Sequence, residues 1–390
     1  MIDYKSEAQE LFPYNQQLRR DFHRHPELGF QEVRTAGIVA RDLTELGLEV
    51  STGIGKTGVV ATLEGARPGP VLLVRFDMDA LPIQEETGAE YASQTPGVMH
   101  ACGHDGHTAI GLTVAKMLEA HKDELGGTVK LVFQPAEEGL GGAEAMVADG
   151  VLDQPKPGQS LSLHLWNDKP LGWIGVTPGP AMSASDRFTV KIIGRGGHGA
   201  APYITIDPVV AGAQVITALQ NIVSRNVDPL EAAVVTVTSM VGGEAFNVIP
   251  ESVVLKGTIR TFNPEVRSIV LERFEAIASG VSNAMGCQAE VDLKSITPAV
   301  SNDPVIAAQV FEVANKIYPQ AEISTDERTM GSEDMAYMMD DIPGCYFFIG
   351  SADHERGLDA GHHHPKFDFH EGALTTGAAL MASVVQDFLK

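Results

Sequence analysis

Apolar residues recur along the first 50 positions of the chain at the three- and four-residue spacing of an amphipathic helix. One such series spans residues 8–22 and ends before Pro26, which disfavours a helical conformation of the residue that precedes it. A second series spans residues 33–46 and stops at Gly47, a residue typical of the end of a helix. The pattern therefore predicts two helices before the first strand.

Four short apolar runs within the first 170 residues predict buried strands, and helical patterns separate several of them. Strands that alternate with helices are typical of an α/β layer with a largely parallel sheet. We therefore predict the α/β fold class for this part of the chain. In chain order, the four predicted strands are residues 59–63, 71–76, 128–133 and 160–165.

Polar side chains follow three of these strands at the point where each strand ends. The second strand is followed by Asp77 and Asp79 and the third by Glu137 and Glu138, while His164 lies near the end of the fourth. Ligands of open α/β sheets bind beyond the carboxyl ends of the strands. We therefore expect these side chains to share one site.

After Pro180 the pattern changes to that of a smaller α+β unit. Asp207-Pro208 and Asn263-Pro264 each open a helix, with a capping side chain followed by proline at the first helical position. The strands predicted in this unit are residues 186–193, 234–241, 253–261 and a closing strand from Glu290 onward.

These patterns predict two domains, one of which interrupts the other. The catalytic domain consists of residues 1–185 and 296–390, and residues 186–295 form the inserted unit. Within the last part, residues 345–349 predict a buried strand and residues 371–389 a final helix. A chain of 390 residues is long enough for this arrangement.

The formal charge of −23, from 28 basic and 51 acidic residues, argues against a nucleic-acid or anionic-membrane partner. The three cysteines are odd in number and far apart, which does not fit a disulfide framework. The first residues lack the apolar core of a signal peptide, and no uncharged apolar run is long enough to span a bilayer. We therefore expect a cytoplasmic protein that acts on a small molecule.

The segment His100–His107 contains a thiol, three imidazoles and a carboxylate, and it includes two glycines. A helix is predicted over residues 108–118, so Cys102 and His104 are expected on the turn that enters it. Thiolate and imidazole together suit zinc and neighbouring metals. A buried structural thiol beside capping histidines is the alternative interpretation.

Five candidate donors are more than one tetrahedral site needs, and they suit two ions about 3.5–4 Å apart that share a bridging ligand. In a metal-free alternative, Cys102 is a nucleophile and His104 or His107 is its base. This alternative assigns no function to the acidic clusters. The candidate donors are Cys102, His104, Glu138, His164 and one histidine among residues 362–364.

The neighbours Glu137 and Glu138 suggest a division of labour, because adjacent residues of an extended loop point to different sides. One carboxylate can then bind metal while the other faces the bound water as general base. Asp79 could hydrogen-bond to a ligand histidine and so orient its ring. For the glutamate pair the alternative is a solvated loop end.

The inserted unit carries further candidates. His198 lies in a glycine-rich turn, where it could stabilise an oxyanion or be a plain turn residue. Asn247 and Arg260 could bind a substrate carboxylate, because the guanidinium fork matches a carboxylate. The alternative for Arg260 is a surface ion pair.

Five motifs, in order, resemble those of the hippurate hydrolase and N-acyl-amino-acid amidohydrolase branch of the dinuclear metallocarboxypeptidase (aminoacylase) superfamily. A further match at His23–Gly29 extends the resemblance over essentially the whole chain. The five motifs are Asp77–Pro82, Met99–Asp105, Gln134–Gly139, Gly196–Ala200 and the His-x-Pro-x-Phe-Asp of residues 363–368.

The resemblance implies a catalytic α/β domain of phosphorylase/hydrolase-like type and an α+β satellite domain that serves as a lid and mediates formation of a homodimer or higher oligomer. It also implies two divalent metal ions per chain, with zinc favoured over manganese, cobalt or nickel. His363 is chosen as a ligand because it precedes Pro365 by two residues. The full set of implied ligands is Cys102, His104, Glu138, His164 and His363.

The resemblance assigns the general base to Glu137 and places Asp79 in the catalytic set. It further implies that His198 reaches the active site of a partner subunit and helps to stabilise the oxyanion. The implied substrate-binding residues are Asn247, Arg260 and Gly331.

The implied reaction is hydrolysis of the amide of an N-acyl amino acid, hippurate-like or N-acetylated, to a carboxylic acid and a free amino acid. The metals would polarise the carbonyl and acidify a bridging water, and Glu137 would carry its proton to the amine. Two alternatives stay open. One is a dipeptidase or carboxypeptidase with the same metal chemistry, and the other is a non-catalytic amino-acid-binding homologue.

Two positions depart from the wider pattern. Asp77 stands where the wider superfamily has a histidine ligand, so Cys102 with His104 is expected to replace it. Relatives often have methionine and a later histidine where this chain has Ala201 and Tyr203. The second departure concerns substrate preference rather than hydrolysis.

Overall fold

The computed structural model describes residues 2–390 and contains helices and strands in the alternation that the sequence predicts. The α-helices are α1 Tyr4–Glu10, α2 Phe12–Arg24, α3 Val33–Glu45, α4 His104–Ala120, α5 Gly142–Ala148, α6 Pro208–Asn221, α7 Pro264–Ala284, α8 Pro304–Ile317, α9 Ala336–Asp341 and α10 Gly372–Phe388. The strands are β1 Glu49–Ile54, β2 Gly58–Glu64, β3 Arg67–Asp77, β4 Gly126–Gln134, β5 Gln159–Pro170, β6 Trp173–Gly175, β7 Gly179–Met182, β8 Ala184–Ile193, β9 Gly197–His198, β10 Ala233–Val241, β11 Val248–Ile249, β12 Ser252–Thr261, β13 Gln288–Thr297, β14 Val300–Asn302, β15 Glu322–Ser324 and β16 Gly344–Ala352.

Contacts between residues divide the chain into two compact units. The first consists of the chain up to Ala181 together with Ser301–Arg328 and Glu333–Lys390. The second consists of Met182–Val300 and the short segment Thr329–Ser332. Each unit has its own hydrophobic core.

The first unit is built on an eight-stranded sheet with the order β1-β2-β4-β3-β5-β16-β6-β15. Its centre is parallel, since β3 pairs in parallel with β4 and β5, and β5 in parallel with β16. Antiparallel pairs flank this centre, where β1 meets β2, β2 meets β4, and β16 meets β6. The α/β class is confirmed, and the sheet is mixed rather than parallel throughout.

Helix α4 lies against the centre of this sheet and carries the site described below. Gly111 permits its close approach, because a Cβ there would lie 2.6 Å from Cδ2 of Phe76. Gly103 precedes the helix with φ +89°, a left-handed conformation that glycine adopts at little cost. The helix begins at His104, earlier than the predicted residue 108, so His104 is a helical residue rather than part of the turn.

The prediction of one continuous helix over residues 8–22 was wrong. The structure contains two helices that meet at Leu11, immediately before Phe12 and Pro13. Proline cannot donate the hydrogen bond of a helix interior and clashes with the preceding turn, but it is tolerated in a first turn. The chain therefore ends one helix and begins another at this position.

The second unit is a four-stranded antiparallel sheet with the order β10-β12-β8-β13. Helices α6 and α7 contact this sheet, and the rings of Phe188 and Phe274 lie 4.4 Å apart in its core. The four strands and two helices predicted between residues 186 and 295 are all present. No described helix is both long enough and apolar enough to cross a membrane.

A buried arginine joins three helical segments of the first unit. Arg19 of α2 is fully buried, and its Nε donates to Oδ2 of Asp105 at 2.8 Å. Its Nη2 donates to Oδ1 of Asp368 at 2.7 Å, and its Nη1 lies 3.4 Å from Oε1 of Glu371. These pairs connect α2 with the first turn of α4 and with the segment that leads into α10.

We expect Arg19→Leu to lower the free energy of unfolding by about 3–5 kcal/mol, because it leaves Asp105 and Asp368 buried without their cation. Arg34→Leu is the matched control. It removes a partly exposed pair with Asp21, which contributes about 0–1 kcal/mol. Thermal and urea denaturation of both variants measure the difference, and equal effects would contradict a structural role for the Arg19 cluster.

Candidate metal centre

Asp79 connects two of the expected ligands. The Nδ1 of His104 donates to the backbone oxygen of Asp79 at 2.9 Å and lies 3.2 Å from its Oδ1. The other carboxylate oxygen, Oδ2, accepts from the backbone N–H of Glu138 at 3.0 Å. Because Nδ1 holds a proton, Nε2 carries the lone pair in the neutral form of His104. That Nε2 is buried and has no hydrogen-bond partner among the described residues, as expected of an atom reserved for a metal.

The donor atoms of Cys102 and His164 are as far apart as two ligands of one metal ion. Sγ of Cys102 lies 3.5 Å from Nε2 of His164, and Nδ1 of His164 donates to the Leu165 carbonyl at 2.6 Å. A thiolate and an imidazole on one tetrahedral zinc stand about 3.5 Å apart, given zinc–sulfur and zinc–nitrogen bonds of about 2.3 and 2.0–2.1 Å. Burial holds the pKa of His164 well below its usual range, so the ring stays neutral, the form that binds metal.

Of the three consecutive histidines, His363 reaches the other donors. Its Nε2 lies 3.1 Å from Oε1 of Glu138, and it forms one group with Glu138 and Cys102. Hydrogen bonding to Cys102 and then to Glu138 raises the pKa of His363 to about 10. His364 is exposed, and its Nδ1 accepts from the backbone N–H of Lys366.

The donors fall into two groups of three that share Cys102. In each group the possible ligand atoms lie within 4.8 Å of one another. One sulfur, three imidazole nitrogens and a carboxylate form a borderline-soft set, which suits zinc or its neighbours. The donor set could hold two divalent cations, and Cys102 belongs to both groups. The two groups are Cys102, His104 and His164, and Cys102, Glu138 and His363.

Glu137 lies beside this donor set among other acids. It is buried, and its carboxylate falls into one group with those of Glu333 and Asp334 and into another with His104 and Glu138. Burial, followed by the charges of Glu333, Glu138 and Asp334, raises the pKa of the Glu137 carboxyl well above its usual range. A carboxylate of raised pKa is a stronger base than an exposed one.

A buried arginine next to the site was missed by the sequence analysis. Arg75 of β3 is fully buried, and it donates to Asp77 Oδ2 and Glu333 Oε1, both at 2.7 Å, and to Asp334 Oδ1 at 3.3 Å. Its Nε donates to Oε1 of Gln134 at 2.8 Å. A charged residue within an apolar strand requires buried partners, and this signal was available in the sequence.

Both carboxylate oxygens of Asp77 are engaged by neighbouring side chains. Its Oδ2 accepts from Arg75, and its Oδ1 lies 2.6 Å from Nδ1 of His107. The Nε2 of His107 accepts from the backbone N–H of Leu165 at 2.9 Å, so the proton of His107 is on Nδ1 and points to Asp77. His107 is therefore buried and structural, and Asp77 anchors it.

The expected residues of the second unit lie at two places. His198 and Asn247 are at the first, and Arg260 and Gly331 are at the second. His198 on β9 is exposed and pairs with Val248 on β11, and the N–H of Gly199 donates to the Asn247 carbonyl at 2.8 Å. The second place is the surroundings of Arg260.

The guanidinium of Arg260 donates to the hydroxyl of Ser332 at 2.7 Å and to that of Thr258 at 3.2 Å. Ser332 directly follows Gly331, so these two expected substrate residues lie close together. The guanidinium is partly buried and bonds to hydroxyl groups, an environment that differs from that of a surface ion pair.

The chain is similar in sequence to known amidohydrolases and deacetylases. The chain is 50% identical over 274 residues to an N-acyl-L-amino acid amidohydrolase of Geobacillus stearothermophilus, covering 70% of this chain and 73% of the relative. It is 42% identical over 358 residues to the N-acetyl-L-cysteine deacetylase of Bacillus subtilis, covering 92% of this chain and 84% of the relative.

A solved structure has the same fold. The Bacillus subtilis YXEP protein, described as a dinuclear metal binding peptidase from the M20 family, superimposes with a TM-score of 0.85 at 36% identity, covering 98% of this chain and 99% of that one. The model of peptidase family M20/M25/M40 matches residues 73–387, which include every donor described above. The chain belongs to peptidase family M20/M25/M40.

Proposed function

We propose that this chain is a metal-dependent amidohydrolase that cleaves N-acyl amino acids into a carboxylic acid and a free amino acid. The observation that carries the proposal is the pair of three-donor groups that share Cys102 beside the buried Glu137. The names of the two sequence relatives support the substrate class. Either an acetyl or a larger hippurate-like acyl group fits this class.

Two divalent cations held by these donors would polarise the amide carbonyl and acidify a water molecule. Glu137 then accepts the proton of that water and delivers it to the nitrogen of the departing amine. Asp79 supports the reaction by fixing the ring of His104 and the peptide of Glu138. Zinc is the cation that the sulfur and imidazole donors favour, with manganese, cobalt and nickel as alternatives.

Nucleophilic catalysis by Cys102 is disfavoured by the same contacts. Burial, followed by the charge of Glu138, raises the pKa of the Cys102 thiol, which opposes formation of a free thiolate. Two bases were expected, His104 and His107. His107 is occupied by Asp77 and by the Leu165 N–H, and Nδ1 of His104 is bound to Asp79.

The roles expected for the second unit remain proposals. His198 is assigned to oxyanion stabilisation, and Asn247, Arg260 and Gly331 to the substrate carboxylate. We likewise propose that the satellite unit, residues 186–295, mediates homodimer formation and serves as a lid, and that the protein acts in the cytoplasm. Kinetics of His198→Ala and Arg260→Ala variants and the mass of the protein in solution test these assignments.

A substrate panel separates the amidohydrolase from a dipeptidase or carboxypeptidase, because all three share the metal chemistry. We expect N-acetyl and N-benzoyl amino acids to be hydrolysed with higher kcat/KM than dipeptides that have a free amino terminus and the same final residue. The reverse order would favour the peptidase. Binding of amino acids without any turnover would favour a non-catalytic homologue.

We expect Glu137→Gln to keep the bound metal and to lower kcat by about 10²–10⁴-fold, which is the usual contribution of a general base. Elemental analysis and steady-state kinetics measure the two effects on the same preparation. Glu144→Gln, an exposed change on α5, is the matched control and should leave both values unchanged. Retained turnover in Glu137→Gln would assign the base elsewhere.

We expect Cys102→Ala to reduce the metal content from about two ions per chain to about one or fewer, because the thiolate belongs to both donor groups. Cys287→Ala removes a buried free thiol of the second unit and serves as the control. Elemental analysis after dialysis against zinc gives the stoichiometry. An unchanged content in Cys102→Ala would show that the sulfur is not a ligand.

A further inference from the structure

The loop between β16 and α10 presents three histidines in a row, of which His363 reaches Cys102 and Glu138. His363 has φ +65°, a left-handed conformation that residues with a Cβ rarely adopt. Such a conformation persists only where the surrounding contacts enforce it. Part of this enforcement is visible, since the N–H of His363 donates to the Ala101 carbonyl at 2.8 Å.

His362 packs against neighbouring rings and the backbone of β5. Its ring centroid lies 5.0 Å from that of Trp166 and 5.1 Å from those of Phe367 and His164. Its Nε2 accepts from the backbone N–H of Asn167 at 3.2 Å. The ring is therefore held between the end of β5 and its own loop.

The tautomer of His362 follows from this contact. A backbone N–H can only donate, so Nε2 of His362 is the acceptor and the ring proton of the neutral form is on Nδ1. That Nδ1 lies 3.8 Å from Sγ of Cys102 and is the donor of this contact in the neutral tautomer. A protonated nitrogen cannot bind a metal, so His362 approaches the donor set as a hydrogen-bond donor.

The side chain of Asn167 holds both ends of the histidine loop. Its Nδ2 donates to the carbonyl of Ala360 at 2.8 Å and to that of Asp368 at 3.0 Å. Its Oδ1 accepts from the hydroxyl of Ser351 on β16 at 3.0 Å. One fully buried amide thus fixes the two points between which the loop must turn.

We propose that His362 and Asn167 are positioning residues for the metal centre. His362 holds His363 in its left-handed conformation and donates a hydrogen bond to the Cys102 sulfur, and Asn167 fixes the ends of the loop. This inference rests on the proposed metal site. Hydrogen bonds from neighbouring groups orient ligands and tune the metal, and losing one weakens metal binding by about 10–100-fold.

The test compares three changes at His362 and His363 in the full chain. His363→Gln removes a proposed ligand. His362→Phe keeps a flat ring between Trp166 and Phe367 but removes both nitrogens, and His362→Asn retains an N–H donor near the former Nδ1. His364→Gln is the matched control, because His364 is exposed and belongs to neither donor group.

The readouts are zinc affinity, by competition with a chromophoric chelator, the number of ions per chain, and the sulfur-to-metal charge-transfer band of the cobalt-substituted protein. We expect His363→Gln to lose one ion per chain. His362→Phe should keep both ions, bind zinc about 10–100-fold more weakly and shift the charge-transfer band. His362→Asn should restore the band toward that of the unmodified protein.

Two results would overturn the proposal. If His362→Phe loses an ion as His363→Gln does, His362 is itself a ligand; if its affinity and band are unchanged, it positions nothing. Asn167→Leu provides a second variant. We expect it to bind zinc more weakly and to retain both ions. Unchanged zinc binding would contradict the role of Asn167 in fixing the ends of the loop. If the unmodified protein binds no zinc or cobalt, the proposed metal site itself fails, a result distinct from both.

Discussion

The first unit depends on the burial of one positive charge, the guanidinium of Arg75, in the middle of its sheet. A buried cation must be paired, since an isolated charge is costly to remove from water. Arg75 receives Asp77 from its own strand, and Glu333 and Asp334 from a loop more than 250 residues later. Pairing therefore draws that distant loop to the carboxyl end of β3, where it surrounds Glu137 with acids.

The same charge is connected by hydrogen bonds to His164, a proposed metal ligand on a different strand. Arg75 and His107 engage the two oxygens of Asp77, and His107 accepts the N–H of Leu165. The carbonyl of Leu165 in turn accepts from Nδ1 of His164, which leaves the lone pair of Nε2 facing Cys102. Hydrogen bonds joined through the backbone of Leu165 thus connect a buried ion to the ring of His164, and Asp77 is part of this series.

Sequence periodicity predicted most of the longer elements that bury an apolar face and the polar residues at their ends, but not the break between α1 and α2 or the short buried strand β6. It missed β1, whose side chains are largely exposed and give no alternating signal. It also missed the acids at 333 and 334, because their partners are set by tertiary pairing and not by local pattern. Selecting His363 among three histidines needed a motif, and the distinct role of its neighbour needed the direction of a single backbone N–H.

The site carries more buried acid than its arginine can neutralise. Arg75 is shared among Asp77, Glu333 and Asp334, and it does not contact Glu137. Burial raises the pKa of Asp334 and Glu137, and like charges nearby raise both further. Divalent cations held by the adjoining donors would oppose this effect, since an opposite charge favours the ionised form. Cations in the donor groups would therefore also reduce the repulsion among these buried acids.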